Sequence, residues 1–164
     1  MKILGIDPGI GRAGWGIIEM VNGKWVMVNC GCIETSKEML NEKRLESLYD
    51  QLRIIIKHED PTAAAIEDLF FSTNAKTAIA VGQARGVIIL AAVQAGLSIA
   101  SYAPLAVKLA VAGYGKAEKR DVEKMTMLQL KMTQKPKLDD TTDALAIALT
   151  HAFSYQLQKQ TSRS

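Results

Sequence analysis

The sequence predicts an α/β domain, a five-stranded mixed sheet flanked by helices. Three strand-like stretches crowd the first 34 residues around an Asn22-Gly23 turn. Two further short apolar runs are separated by a long helical stretch, and the remainder carries helical periodicity.

The first strand, Lys2–Asp7, is an apolar run that ends in an acid followed by Pro8-Gly9. Residues 13–21 and Lys24–Glu34 read as the second and third strands. Asn22-Gly23 between them is a type I′ hairpin signal, because both residues tolerate positive φ. Gly9, Gly11 and Gly14 permit the tighter bend after Asp7. Residues 41–58 place Leu45, Leu48, Tyr49, Leu52, Ile55 and Ile56 on one helical face. Residues 62–66 form a second buried strand, with Glu67 at its tip. Residues 74–95 read as a long helix closed by Gly96, and residues 97–102 as the fifth strand. Ala78, Gly82 and Gly86 form a stripe of small side chains on that helix, open to close packing on its own sheet or on a second copy of the chain. Pro104–Ala112, 118–131 and 139–155 read as three more helices. Residues 1–155 are expected to form one domain, and 156–164 a disordered polar tail. This element order is that of the ribonuclease H-like fold. Its first and fourth strands lie side by side, which would bring Asp7 and Glu67 together, with Asp140 and Asp143 delivered by the last helix.

At 164 residues the chain has the length of one domain with a substantial core. No apolar stretch is read as reaching the ~20 residues of a membrane span, since Gln83, Arg85 and Gln94 interrupt the longest run, 82–96. The apolar run after Lys2 stops at Asp7-Pro8, unlike a signal peptide, so the protein is expected in the cytoplasm, with no membrane partner. Cys30 and Cys32 share one strand face and are poorly disposed to bond to each other. His58 and His151 are single and distant, and read as ordinary structural or surface residues. The net charge is only +3, but residues 103–137 hold eight Lys and Arg against three acids. A basic segment of that kind suits a polyanion.

Taken singly, Asp7 could start a turn, and Asp139, Asp140 and Asp143 could cap a helix. Glu67, directly after Ala-Ala-Ala-Ile, is harder to place on a solvated face. Asp140 and Asp143, three apart, leave the same side of their helix. Asp7, Glu67, Asp140 and Asp143 together would repel one another unless a cation joined them. An all-oxygen set suits Mg2+, with Mn2+ able to substitute, rather than zinc. Two such ions roughly 4 Å apart serve phosphodiester hydrolysis.

The chain resembles the RuvC-type Holliday-junction resolvases over nearly its whole length. The resemblance rests on Ile3-Leu4-Gly5-Ile6-Asp7-Pro8-Gly9, on Ile66-Glu67 through Phe70-Phe71 with Asn74-Ala75, and on Gly82-Gln83-Ala84-Arg85-Gly86. Pro104 through Val107-Lys108 and Asp140-Thr141-Thr142-Asp143-Ala144-Leu145-Ala146 complete it. It implies that Asp7, Glu67, Asp140 and Asp143 are the catalytic metal ligands, with Mg2+ as cofactor and two ions per site. Asp139 is an adjacent acid, and the spacing to Asp143 favours Asp140. The resemblance further implies a homodimer that nicks a four-way DNA junction at symmetric positions, leaving 5′-phosphate and 3′-hydroxyl ends, in recombination and repair. A branch-migration motor of the RuvA and RuvB type is the implied partner. Lys108 and Lys119 match lysines near the active site that contact phosphates or steady the transition state. Phe70 matches an aromatic that stacks on an unpaired base, while Phe71 reads as core. Arg85 is assigned to DNA or to the partner subunit, and Lys116 and Arg120 complete the expected DNA-contacting set. Three rivals share some of these features: an actin-like ATPase using Asp7-Pro8-Gly9-Ile10-Gly11, a generic nuclease on the same fold, and a junction-binding protein without catalysis.

Overall fold

The computed structural model describes residues 1–69 and 75–161, with residues 75, 76 and 160 described by backbone alone. Five strands and five helices follow in the order β1 (Lys2–Asp7), β2 (Arg12–Val21), β3 (Lys24–Glu34), α1 (Asn41–Glu59), β4 (Ala63–Glu67), α2 (Ala75–Gln94), β5 (Ser98–Tyr102), α3 (Pro104–Ala112), α4 (Lys119–Gln129) and α5 (Asp139–Thr161). They form one sheet in the order β3-β2-β1-β4-β5. β1, β2 and β3 pair antiparallel, whereas β4 and β5 add in parallel beside β1. This is the mixed sheet of the ribonuclease H-like fold. The β2–β3 turn is fixed by Asn22 and Gly23, with φ of 50° and 76°. Gly96 ends the region of α2 with φ of 77°.

Strand alternation decides where the acids point. Ile3 and Ala65 belong to the core beneath α3, α4 and α5, with Val107, Val122 and Leu145 to Leu149. Leu4, Ile6 and Ile66 belong to the opposite core beneath α1 and α2, with Leu48, Leu52, Ala84 and Ile88. Side chains alternate between faces along a strand. Asp7 therefore projects, like Ile3, toward α5, and Glu67 does so like Ala65. Ile6 pairs with Ile66 across the parallel ladder, so the two acids emerge side by side.

Three glycines set how closely α5 can lie on the sheet. A Cβ on Gly5 would stand 2.0 Å from the Ala144 carbonyl oxygen, and one on Gly14 would stand 2.0 Å from that of Asp140. A Cβ on Gly16 would strike the Leu145 side chain at 2.5 Å. The helix backbone thus rests on β1 and β2 where side chains would otherwise intervene. Gly14 serves this close approach rather than the bend after Asp7, which is a correction to its expected role.

Two other expectations are corrected. Residues 156–161, expected as the start of a disordered tail, continue α5 to Thr161. No Gly or Pro follows Tyr155, and Gln, Leu and Lys are good helix formers. Thr77–Gln94 of α2 has a mean hydropathy of 1.4 over 18 residues, enough by length and composition for a membrane span. Three polar side chains were too few to interrupt that run. One side of α2 packs on α1 and β5, yet only 22% of the span is buried.

Candidate active site

Asp7, Glu67, Asp143, Lys108 and Lys119 line one cleft of about 210 Å³, floored by Pro104, Val107, Val122, Ala146 and Ile147. The tips of β1 and β4 bring the first two acids, and the start of the second turn of α5 brings Asp143. Lys119 opens α4, and a capping box between Glu118 and Asp121 fixes that helix start. Asp121 is held in turn by the Tyr114 hydroxyl, which donates to it at 2.9 Å. From this position Lys119 Nζ donates to Asp143 Oδ2 at 2.7 Å.

The electrostatics are those of crowded carboxylates in a partly dry cleft. Burial, with the charges of Glu67, Asp143 and Asp140, pushes the Asp7 carboxyl up to about 7, against the pull of Lys119. Burial and Asp143 also raise Glu67, although its hydrogen bond with Asp7 works the other way. Asp143 is raised by burial, and Lys119 partly offsets this. Burial alone would lower Lys119, but its hydrogen bond to Asp143 and the charges of Asp143, Asp139 and Asp140 leave it raised. Each acid thus carries a charge that its surroundings penalise.

Asp140 stands beside this group rather than in the cleft lining. Its charge reaches Asp7 and Asp143. Oδ2 is buried and accepts no hydrogen bond, and the Arg12 Nε lies 3.3 Å away as an ion pair. Asp139 is directed elsewhere: it is 56% exposed, with Lys135 at 3.0 Å and Lys119 at 4.0 Å.

Among the described residues no three His, Cys, Asp or Glu side chains already surround one point as metal ligands. The chain's own cations sit on two of the acids, Lys119 on Asp143 and Arg12 on Asp140. The donor set nevertheless fits a hard divalent cation. Its atoms are all carboxylate oxygen, one buried oxygen lacks a donor, and the Asp7 proton is held only by local repulsion and burial.

Other expected positions fall variously. Arg85 donates within the fold from Nε to the Glu67 carbonyl at 3.0 Å and from Nη2 to Asp68 Oδ1 and Ser101 Oγ, each at 2.7 Å. Lys116 is exposed between α3 and α4, and Arg120 is exposed with Glu118 at 3.0 Å. Phe70, with Phe71 and Asn74, lies outside the described residues. His151 bonds the Tyr102 hydroxyl at 2.9 Å and His58 bonds Glu59 at 3.1 Å, in keeping with structural readings. Both cysteines are free. Arg12 and the glycine seat of α5 were missed. A lone arginine opening a strand gives no local signal, and glycine spacing does not reveal what crosses it.

The family model for crossover junction endodeoxyribonuclease RuvC matches residues 3–151. The crossover junction endodeoxyribonuclease RuvC of Chloroflexus aurantiacus is 49% identical over 154 residues, covering 94% of each chain. The Thermus thermophilus RuvC structure is similar with a TM-score of 0.89 at 33% identity, covering 96% of this chain and 97% of that one. Thermus thermophilus RuvC in complex with Holliday junction substrate is similar with a TM-score of 0.87 at 31% identity, covering 96% of both chains.

Proposed function

Because the chain belongs to the RuvC family of crossover junction endodeoxyribonucleases, we propose that its cleft cuts the four-way DNA junction and that Asp7, Glu67, Asp140 and Asp143 are the catalytic acids. The chain is a Holliday-junction resolvase, and its substrate is junction DNA. The observation that carries the site assignment is the meeting of Asp7, Glu67 and Asp143 in one cleft with Lys119 and Lys108. Those acids, with Asp140, would hold Mg2+ or Mn2+, in a two-ion arrangement. Bound ions would supply the charge that ionises water and stabilises the departing oxygen.

The chain's own groups do the rest. Lys119, held at Asp143 by the capped start of α4, presents a positive charge where a scissile phosphate must enter. Lys108 reaches the same cleft from α3. Exposed Lys116 and Arg120 extend the basic rim and draw in a polyanion before chemistry. Phe70, three residues after Glu67 in the sequence, is proposed to stack on an unpaired base, worth about 1 to 3 kcal/mol.

A homodimer is supported by α2. Ile79, Leu90 and Val93 are 64%, 50% and 57% exposed, and their spacing puts them on one side of the helix with Gly86. A Cβ at Gly86 would meet open space, so a second helix can approach there. A twofold enzyme would present two clefts to a junction of twofold symmetry. A branch-migration motor of the RuvA and RuvB type and a cytoplasmic setting complete the proposal.

The decisive assay incubates the purified protein with Mg2+ and an end-labelled mobile four-way junction, beside a linear duplex of the same sequence. Paired symmetric nicks confined to the junction are the expected result. Equal cutting of both substrates would indicate a generic nuclease and overturn the junction reading.

Two further outcomes follow from the geometry. Arg85 ties α2 to the Glu67 carbonyl and to both strand tips. Arg85→Ala is therefore expected to slow single-turnover cleavage by about tenfold to a hundredfold, the usual effect of losing a group that orients a ligand. Junction affinity should stay near the parent value, and a parallel fall in affinity would instead place Arg85 on the DNA. For pH, a neutral Asp7 carboxyl is a poor ligand, and its proton is held up to about 7. Cleavage should rise as pH passes upward through that region, and a higher Mg2+ concentration should move the midpoint downward because metal and proton compete. A profile insensitive to Mg2+ would count against Asp7 as the titrating ligand.

A further inference from the structure

The two acids on α5 are held by cations of the chain in different ways. Lys119 makes a hydrogen-bonded pair with Asp143 at 2.7 Å. Arg12 stands 3.3 Å from Asp140 Oδ2 and is not aligned to donate to it, so this buried oxygen is left without a hydrogen bond. The base of the Arg12 arm is fixed: Gly9 packs against its carbonyl so closely that a Cβ there would fall 2.1 Å from the oxygen. Arg12 also pairs with Glu34 in the β2–β3 ladder, next to the Thr35 N–H donating to the Gly11 carbonyl at 3.0 Å. The arm's side chain, by contrast, is 56% exposed. A fixed base, a half-solvated head and an unaligned contact describe a cation resting on a carboxylate that it can leave.

We propose that Arg12 is the resident counter-cation of Asp140 in the metal-free protein and gives up this carboxylate when a divalent cation is bound. The inference rests on the metal-site reading above. In the absence of metal, a guanidinium on Asp140 reduces repulsion among carboxylates that α5 and the strand tips force together. A divalent ion supplies more charge to the same oxygen, and an unaligned pair whose arginine side chain is more than half exposed is replaced at small cost. Arg12 thereby weakens metal binding slightly before DNA arrives. Once displaced, its planar fork is free beside the cleft, in the form best suited to phosphate.

The test is a Mn2+ titration of the DNA-free protein, read by electron paramagnetic resonance of the unbound ion. Arg12→Gln should tighten Mn2+ binding by about threefold, the scale of an exposed pair. Arg12→Lys should remain near the parent, since a lysine can keep the ion pair. Arg44→Gln provides the control for long-range charge. Its guanidinium lies against the same loop, near Gly11, but donates to Thr35 Oγ1 at 2.9 Å rather than to an acid, so its effect should be smaller. Unchanged or weaker binding by Arg12→Gln would overturn the proposal, and so would an equal gain from Arg44→Gln. If the parent chain bound no Mn2+, or if Asp7→Asn left binding unaltered, the metal reading itself would fail and take this inference with it.

Discussion

Asp7→Asn is expected to abolish junction cutting while leaving junction binding as strong or stronger. The substitution keeps the shape of the side chain and removes one charge from a cleft already shared with Glu67 and Asp143. A carboxamide is a much poorer ligand for a hard cation than a carboxylate. The loss in cleavage rate should therefore be at least about a hundredfold, the scale at which one electrostatic catalytic group is felt. DNA, itself a polyanion, should meet less repulsion at the cleft. A second readout separates this from simple damage. The folded Asp7 carboxyl sits at about 7, above its ordinary value of 3.8, so ionising it costs folding free energy. That cost is absent below the unfolded value, grows as pH rises between the two values, and is fully present above the folded one. In the metal-free protein, Asp7→Asn should therefore raise the melting temperature at pH 8 and change it little near pH 4. Retained cutting would remove Asp7 from the catalytic set, and a lower melting temperature at pH 8 would remove the electrostatic account of its burial.

The acids were legible because each breaks a local pattern. An acid at the end of Ile3-Leu4-Gly5-Ile6, another after Ala63-Ala64-Ala65-Ile66, and two at the start of an apolar helix can be seen without knowing the fold. The hairpin at Asn22-Gly23 was legible for a similar reason, since its φ requirement is local. What the chain hid is whatever depends on elements far apart in sequence. Arg85 reads as a cation open to DNA or to a partner subunit, and its three hydrogen bonds to the sheet tip could not be read from the helix that carries it. Arg12 lies just outside the expected second strand, 13–21, and drew no reading, because its partner lies on α5. The end of the last helix was misjudged because a polar stretch of good helix formers has no local stop signal.

Gly14→Ala is expected to do to the whole site what Asp7→Asn does to one ligand. The added methyl would lie 2.0 Å from the Asp140 carbonyl oxygen and 2.3 Å from its carbonyl carbon. Both are backbone atoms of the first turn of α5, so no side-chain rotation relieves the clash. Either β2 must bend away or α5 must lift, and β2 is fixed on both sides by β1 and β3. Lifting α5 carries Asp140 and Asp143 away from Asp7 and Glu67. Overpacking of this kind costs about 1 to 3 kcal/mol. That should lower the melting temperature by roughly 2 to 4 °C per kcal/mol in a domain of this size. The larger effect should be on cleavage, because a shift on the order of 1 Å between catalytic groups can cost about a hundredfold. Gly11→Ala, three residues earlier in the β1–β2 connection, is the comparison that alters the bend without touching α5. Its methyl would meet only the mobile end of the Arg44 side chain at 3.3 Å, and cutting should survive. Cleavage by Gly14→Ala at the parent rate would show that α5 does not need its close seat on β2 to deliver the two acids. Equal loss from both variants would show that the connection, rather than the helix contact, controls the site.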